Sequence, residues 1–481
     1  MDIIALVIIF AWLIISTAVG IMAGLRKKFS LEEWAVASRG LSMVVIFFTL
    51  AAEIYSAFTF LGLGGWAYNY GAPIYYALAY FVTAYSTGFV LFPYLNRLGR
   101  KYRYITQADF LMDRYESNAL GILASVLGVT LLLPYIQLQI QGTGIIVQTA
   151  SYGAIDPTTA IMIAYFCVVV FLFIGGYRGL AWTNVLQGIL MFVAAFMIFA
   201  VPFMAFGGTE PMFRQIMSVS PQHLVLPGAK GIHGFPWYMS TLLLTTLGFW
   251  MFPHLTARMY SAKSERDGMR SCAWMPWYSL LAVPIVLAGY SALLLFPGLK
   301  NPDLAVMTDV VNFFPPAIVG IIGAGGLAAA VSTGGSLIQA SAVIISRNWI
   351  QKGFGRGLSD MTTAWLARFM TIVVSVISLI LSLYFPTLLV NLLLIAYSLA
   401  VQFFPGMVFG ITWRRATKHG IFAGILVGTI VVILTTWVWV NPYQVNAGIW
   451  GLAFNFITAI LVSLATKPPS TETLKKFFTT V

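Results

Sequence analysis

Few side chains that could do chemistry lie inside the long apolar runs of this chain. Glu53 places a carboxylate in the middle of one run, and His254 places an imidazole beside a proline in another. Ser332 and Thr333 place two adjacent hydroxyls among small residues in a third. Carboxylates and imidazoles can carry protons, and hydroxyl oxygens suit hard cations. Since no His/Glu cluster has metal-ligand spacing, the pattern favours ion handling over membrane-enzyme chemistry.

The composition excludes a water-soluble fold. Of the 481 residues, 59% are hydrophobic and 9% are charged, whereas a soluble domain is about 25% charged. We therefore expect an all-α polytopic membrane protein whose solvent is the lipid bilayer. The net charge of +12 would suggest nucleic acid in a soluble protein, but here the basic residues belong to loops between spans. No nucleic-acid partner is expected.

Apolar stretches long enough to cross the bilayer recur along the whole chain, and they predict about 13 transmembrane helices. The predicted spans are 3–24, 41–66, 74–96, 119–150, 157–176, 183–207, 236–257, 274–296, 317–345, 369–385, 386–412, 420–440 and 447–466. The first span is long and lacks a cleavage site of the signal-peptide kind, so we interpret it as a true helix.

Basic residues are distributed unevenly between the two sets of loops. With the N-terminus outside, all but three of the 27 Lys and Arg residues fall in cytoplasmic segments, the exceptions being Arg214, Lys230 and Lys300. Cytoplasmic loops carry an excess of positive charge. The chain is therefore predicted to lie in the cell membrane with its N-terminus outside and its C-terminus in the cytoplasm.

Two spans have the composition of broken helices. Small, polar and glycine residues follow Glu53 through Gly65, and Pro253 interrupts the seventh span. Close helix packing is the alternative explanation for the glycines. Breaks five spans apart are typical of two inverted repeats, with the solute site between them near mid-membrane. We expect one transmembrane domain over 1–481, made of a leading helix and loop (1–40), repeats 41–207 and 236–412, and two closing helices with a short tail (413–481).

Several segments together resemble the sodium/solute symporter family, in order and over nearly the whole chain. The segments are Ser56–Gly62, Gln107–Leu111, Gly175–Gln187, Pro253–Arg258, Ala329–Thr333, and Gln402 with Pro405-Gly406. The resemblance implies a leucine-transporter-like core of five plus five helices that works by alternating access. It also implies a sodium site formed by the backbone carbonyls of Ala52, Tyr55 and Ala329 with the hydroxyls of Ser332 and Thr333. Na⁺ is the coupling ion implied, H⁺ remains possible, and no other cofactor is expected.

The resemblance implies a small organic solute bound between the two breaks. Phe252–Leu255 and Trp277–Leu281 look most like the branch that carries short monocarboxylates, while amino acids, pantothenate and sugars stay open as alternatives. No Lys or Arg is expected deep in a span, which keeps neutral and zwitterionic solutes possible. Outside this class, a channel or a transporter-like sensor is the alternative. The candidate substrate-binding residues are Ser56, Phe58, Thr59, Gln137, Gln141, Trp250, Phe252 and Gln402.

Two positions depart from the family pattern. Asn184 stands where many members carry an aspartate, so any ion step that needs a negative charge there is in doubt. Glu53 lies where the neighbourhood is usually uncharged. Glu53 and His254 are candidates for proton coupling, and a structural hydrogen bond is the alternative role for either.

Overall fold

The computed structural model describes residues 3–26, 28–354, 357–385 and 388–478. Helices joined by short loops form the described chain, and their apolar faces share one extended core. The helices are α1 (Ile3–Leu25), α2 (Leu31–Val36), α3 (Met43–Ile54), α4 (Leu63–Asn69), α5 (Tyr75–Tyr102), α6 (Gln107–Arg114), α7 (Asn118–Ala150), α8 (Pro157–Ile198), α9 (Val201–Phe206), α10 (Thr209–Val219), α11 (Phe235–Gly248), α12 (Pro253–Ser261), α13 (Glu265–Ser279), α14 (Ala282–Leu295), α15 (Ala305–Phe313), α16 (Pro316–Ile344), α17 (Asp360–Tyr384), α18 (Leu389–Ala400), α19 (Phe404–Thr412), α20 (Lys418–Ile433), α21 (Ala447–Ala465) and α22 (Thr471–Phe478).

The all-α membrane fold predicted from the sequence is confirmed. Among the described residues, 10 helical stretches are long and apolar enough to cross a membrane, or up to 11 when α3 and the bent continuation through α4 count as one span. The difference from about 13 arises at two places. One is the continuous stretch Pro157–Phe206, and the other is the interrupted helix pair α11 and α12.

The stretch Pro157–Phe206 reverses direction near Gly176. Its 50 residues would extend about 75 Å as one straight helix, far more than one membrane crossing. Gly176 has a φ of +54°, which interrupts the helix. A Cβ on Gly20 would lie 3.0 Å from Thr183 Cγ2 and 3.2 Å from Phe171 Cβ, although a straight helix would separate those two residues by about 18 Å. The two halves are therefore neighbours, as the separate predicted spans 157–176 and 183–207 require.

The second predicted span is broken. α3 ends at Ile54, Tyr55 has φ −93° and ψ 72°, and a turn of π-helix over Phe58–Gly62 leads into α4. The two halves are bent by 46°. A helix that ends inside the core leaves its last carbonyl groups without partners in the same helix. These carbonyls are available to side chains or ions.

The seventh predicted span is broken in the same manner. α11 ends at Gly248, and a short 3₁₀ turn leads to Phe252, which is extended with φ −67° and ψ 131°. Pro253 then begins α12, where its missing N–H costs nothing because first-turn donors have no partner within the helix. α12 continues to Ser261 and is buried throughout. It therefore runs past residue 257, where the sequence placed the end of the span.

A buried carboxylate holds α6 against the end of α16. Asp109 accepts hydrogen bonds from Arg347 (2.8 Å), Lys352 (2.7 Å) and Asn348 (3.2 Å). Burial alone would raise the pKa of Asp109, but the two cations and the Ile105 amide hold it well below its usual range. This network fixes the loop before α7 to the helix that carries Ser332 and Thr333.

Candidate functional site

Four of the five predicted cation ligands meet where α3 ends against α16. Thr333 Oγ1 donates a hydrogen bond to the Ala52 carbonyl at 2.7 Å, and Ser332 Oγ lies 3.4 Å from the same oxygen. Ser332 Oγ also donates to the Ala329 carbonyl at 3.1 Å. All four residues are fully buried. Carbonyl and hydroxyl oxygens collected in this way are the ligands that hard monovalent cations prefer.

Tyr55, the fifth predicted ligand, lies at the break itself. Its amide donates to the Ala51 carbonyl at 2.9 Å as the last bond of α3, and its phenol lies 3.4 Å from the Leu281 carbonyl. The side chain therefore fixes the position of the break against the loop after α13. The non-helical ψ of Tyr55 turns the chain away from α3 immediately after the Ala52 carbonyl.

Glu53 is not a lone carboxylate, because Arg258 from α12 forms a buried ion pair with it. Arg258 Nη2 lies 2.5 Å from Glu53 Oε1 and donates to Ser336 Oγ at 2.9 Å. The seventh span was expected to end at residue 257, and no Lys or Arg was expected deep in a span. Both expectations are wrong for Arg258, whose side chain is 0% exposed. The sequence placed the end of the span one turn too early.

His254 completes this cluster from the first turn of α12. His254 Nε2 donates to Glu53 Oε2 at 2.8 Å, so both carboxylate oxygens are engaged. The cluster joins α3, α12 and α16, which are the three helices that carry the two breaks and the paired hydroxyls. Arg258 Nε and Nη1 have no hydrogen-bond partner within the described chain. The carboxylate charge is thus compensated inside the protein, next to the carbonyl and hydroxyl cluster.

Gln139 of α7 caps the break in the second span, and sequence reasoning missed it. Gln139 Oε1 accepts a hydrogen bond from the Ala57 amide at 3.0 Å. That bond fixes which end of the side-chain amide is oxygen, and Nε2 then has no partner among the described residues. Ser56 Oγ, beside Ala57, is also buried without a partner there. Two polar atoms without hydrogen-bond partners among the described residues, Gln139 Nε2 and Ser56 Oγ, therefore lie at the break.

The signal for Gln139 was present in the sequence Gln137-Leu138-Gln139-Ile140-Gln141. At 100° per residue, Gln137 and Gln141 share a helix face, and Gln139 lies on the opposite one. Gly142 is on the face of Gln139, and a Cβ there would come within 2.4 Å of Ala57 Cβ. The glycine that permits close approach marks the face of α7 that meets the break.

Three further predicted substrate residues surround the breaks. Phe252 packs edge-on against Tyr397 with ring centroids 4.9 Å apart, and Phe58 lies against Phe81 at 6.3 Å. Thr59 Oγ1 donates to the Ile54 carbonyl and so satisfies one of the free carbonyls at the end of α3. Phe252 and Phe58 can offer apolar walls, whereas the Thr59 hydroxyl is already engaged.

The other predicted substrate residues use their polar groups elsewhere. Trp250 Nε1 donates to the Ala84 carbonyl of α5 at 2.8 Å. Gln402 Nε2 donates to the Gly448 carbonyl of α21 at 3.2 Å. Gln137 Nε2 donates to the Phe385 carbonyl, and Gln141 lines a separate cavity together with the start of α8 and the end of α17. The structure does not bring these four polar groups to the breaks.

Asn184 is fully buried in the second half of α8. Its Oδ1 and Nδ2 both lack hydrogen-bond partners among the described residues. A buried primary amide without partners costs free energy. The position is thus unusual in the structure as well as in the sequence.

Comparisons with known proteins agree with this geometry. The chain is 35% identical over 478 residues to the uncharacterized symporter YhjB of Bacillus subtilis, covering 96% of this chain and 97% of that one. It is 24% identical to a monocarboxylate transport permease protein of Rhizobium johnstonii, covering 95% of this chain and 96% of that one. It is 23% identical to a sodium/pantothenate symporter of Haemophilus influenzae, covering 90% of each chain.

The fold is also that of a solved transporter. A Na⁺-coupled sialic acid symporter in its substrate-bound outward-open state superposes with a TM-score of 0.83 at 18% identity, over 97% of this chain and 98% of the other. At that identity the likeness concerns the fold alone. The family model for the sodium:solute symporter family matches residues 34–428. The chain is a multi-pass membrane transporter and not an enzyme, and it belongs to the sodium:solute symporter family.

Proposed function

We propose that this symporter couples the movement of Na⁺ to the uptake of a small organic solute by alternating access, with a short monocarboxylate as the leading candidate. The observation that carries the proposal is the hydrogen bond from Thr333 Oγ1 to the Ala52 carbonyl, with Ser332 beside it. A cation at that point would take the place of these hydrogen bonds. Tyr55 would supply a fifth oxygen from the break.

The proposed solute site lies between the break at residues 55–57 and the break at Phe252. Ser56 Oγ and Gln139 Nε2 are buried there without partners among the described residues, so a solute with acceptor oxygens would satisfy them. Phe252 would supply an apolar wall. Neutral donors and an apolar wall suit a small carboxylate, and an amino acid, pantothenate or a sugar is the alternative. Repeats 41–207 and 236–412 would move relative to each other around this site.

Proton coupling through Glu53 and His254 is the second candidate. The ion pair with Arg258 weighs against it, because accepting a proton at Glu53 would leave a buried guanidinium without its counter-charge. The same cluster fits a structural role that holds α3, α12 and α16 together. We therefore favour Na⁺ as the coupling ion.

Uptake into proteoliposomes tests the proposal. Purified protein should accumulate one or more of acetate, lactate and pyruvate when a Na⁺ gradient is imposed, with saturation in both solute and Na⁺. A pH gradient without Na⁺ should give no more accumulation than in protein-free liposomes, which correct for short acids that cross lipid in their neutral form. Proline, pantothenate and glucose measured in parallel would identify the alternative solutes, and flux that does not saturate would contradict a carrier.

We further propose that the N-terminus is extracellular and the C-terminus cytoplasmic. A single cysteine at Lys475 should resist an impermeant maleimide in intact cells and react after permeabilisation. A single cysteine at Arg214, which is 78% exposed, should react in intact cells. Both variants need a background without Cys167 and Cys272. Labelling of Lys475→Cys in intact cells would contradict the proposed orientation and indicate an extracellular C-terminus.

A further inference from the structure

A cavity of about 420 Å³ opens at the face of the molecule where α7 ends, α8 begins and α17 ends. The charge distribution of the loops predicts that this face is extracellular. None of its lining residues belongs to the proposed sodium site, and we call it the outer cavity. Its polar lining residues include Gln141, Asn301, Asp303 and Ser382.

Asp303 is the only carboxylate among the residues described as lining the outer cavity, and it is 3% exposed. Its Oδ2 accepts a long hydrogen bond of 3.3 Å from the Leu389 amide, and its Oδ1 has no partner among the described residues. Within that part of the chain it also forms no ion pair. A buried carboxylate without a counter-charge is costly unless a cation or a proton joins it.

Two more polar groups of the outer cavity are unpaired. Ser382 Oγ and the Gln141 side-chain nitrogen have no hydrogen-bond partner in the described ranges. Because a side-chain amide can be turned over, Gln141 can present its oxygen to the same space. A carboxylate, a hydroxyl and an amide oxygen are hard ligands. Calcium sites use six to eight oxygens, commonly with several carboxylates, so a single carboxylate favours a monovalent ion.

Exposed charges of both signs flank the outer cavity, Asp156 beside Pro157 and Lys300 beside Asn301. The buried carboxylate of Asp303 is therefore the group that favours a cation. Asp303 also touches the broken second span, since a Cβ on Gly65 of α4 would come within 2.7 Å of Asp303 Oδ1. A charge held at Asp303 therefore lies against the half-helix that continues from the proposed sodium site.

We propose that the outer cavity is a second, weaker Na⁺ site centred on Asp303, with Ser382 and Gln141 completing the oxygen ligands. It would hold the ion at the extracellular face before the ion reaches the break in the second span. The proposal rests on the proposed sodium coupling only for the choice of ion. The cavity and its unpaired groups are independent of the site at Thr333.

Binding of radioactive ²²Na⁺ to the purified full-length protein tests the proposal. The wild type should show two components at pH 7. Asp303→Asn should raise the Na⁺ concentration for half-maximal occupancy of the weaker component at least about tenfold, because a charged ligand is lost. Asp309→Asn, a buried carboxylate on the same connection that does not line the cavity, is the matched control and should keep both components.

Ser382→Ala provides a second variant that leaves all charges in place, and it should weaken the same component several-fold. Each variant is compared after gel filtration shows a monodisperse protein. Two components of wild-type affinity in folded Asp303→Asn, or a single component in the wild type, would overturn the proposal. If Ser332→Ala with Thr333→Ala leaves Na⁺ binding intact while Asp303→Asn does not, the inner site is wrong and the outer one stands.

Discussion

Glu53→Gln should lower the free energy of unfolding by about 3–5 kcal/mol, because it leaves the Arg258 guanidinium buried without its counter-charge. Arg258 Nη2 would keep its bond to Ser336 Oγ but lose the carboxylate 2.5 Å away. Chemical or thermal unfolding in detergent measures the loss. We expect transport to fall with it, since α3, α12 and α16 lose their common contact.

A double-mutant cycle separates the ion pair from the shape of the side chains. Glu53→Gln combined with Arg258→Met removes both charges and should recover most of the lost stability, because paired removal leaves no isolated charge. Strictly additive losses would contradict a direct pair. Uptake by Glu53→Gln that still follows an imposed pH gradient without Na⁺ would show that this carboxylate carries no coupled proton.

Ser332→Ala combined with Thr333→Ala should raise the Na⁺ concentration for half-maximal uptake by about 100-fold. Two hydroxyl oxygens would be lost from a site in which Thr333 Oγ1 lies 2.7 Å from the Ala52 carbonyl. Each lost contact is worth about 1–1.5 kcal/mol, and the two together give a factor of this order. Initial rates of uptake as a function of Na⁺ measure the shift.

Two controls on the same helix accompany this variant. Ser341 is fully buried on α16, but its Oγ donates to the Leu337 carbonyl of its own helix at 2.9 Å. Ser341→Ala should therefore leave the Na⁺ dependence unchanged. Thr333→Ser keeps the hydroxyl and should lie much closer to the wild type than Thr333→Ala. If the folded double variant keeps the Na⁺ dependence of the wild type, Ser332 and Thr333 do not bind the coupling Na⁺.

Local sequence patterns predicted the helices and both breaks, because length, hydropathy, glycine and proline act within one span. The partner of Glu53 could not be found in this way. Arg258 follows the last apolar residues of its span, where a basic residue normally marks the cytoplasmic end. Only the packing of α12 against α3 and α16 brings it into the core, and that packing depends on residues far apart in the chain.

The same limit applies around the solute site. From their side-chain type, Gln137 and Gln141 were predicted to bind the substrate, and Gln139 was not. The helix face that carries Gly142 and Gln139 is nevertheless the one that contacts Ala57. Trp250 and Gln402 were selected for polar groups that the structure uses to join neighbouring helices. A polar residue in a span indicates that a partner exists, but the sequence does not say whether that partner is another helix or a solute.

The pairing of Glu53 with Arg258 also constrains how the protein enters the membrane during synthesis. The two residues are 205 positions apart, and a ribosome needs about 10–40 s to make that length of chain at 5–20 residues per second. A carboxylate at the centre of a helix costs about 2.5–3.5 kcal/mol on translocon insertion scales. During that time the carboxylate of Glu53 on α3 has no guanidinium with which to form an ion pair. We expect the second span to keep its carboxylate near the translocon or near water until α12 arrives, so that the final depth of Glu53 in the bilayer depends on a segment made later.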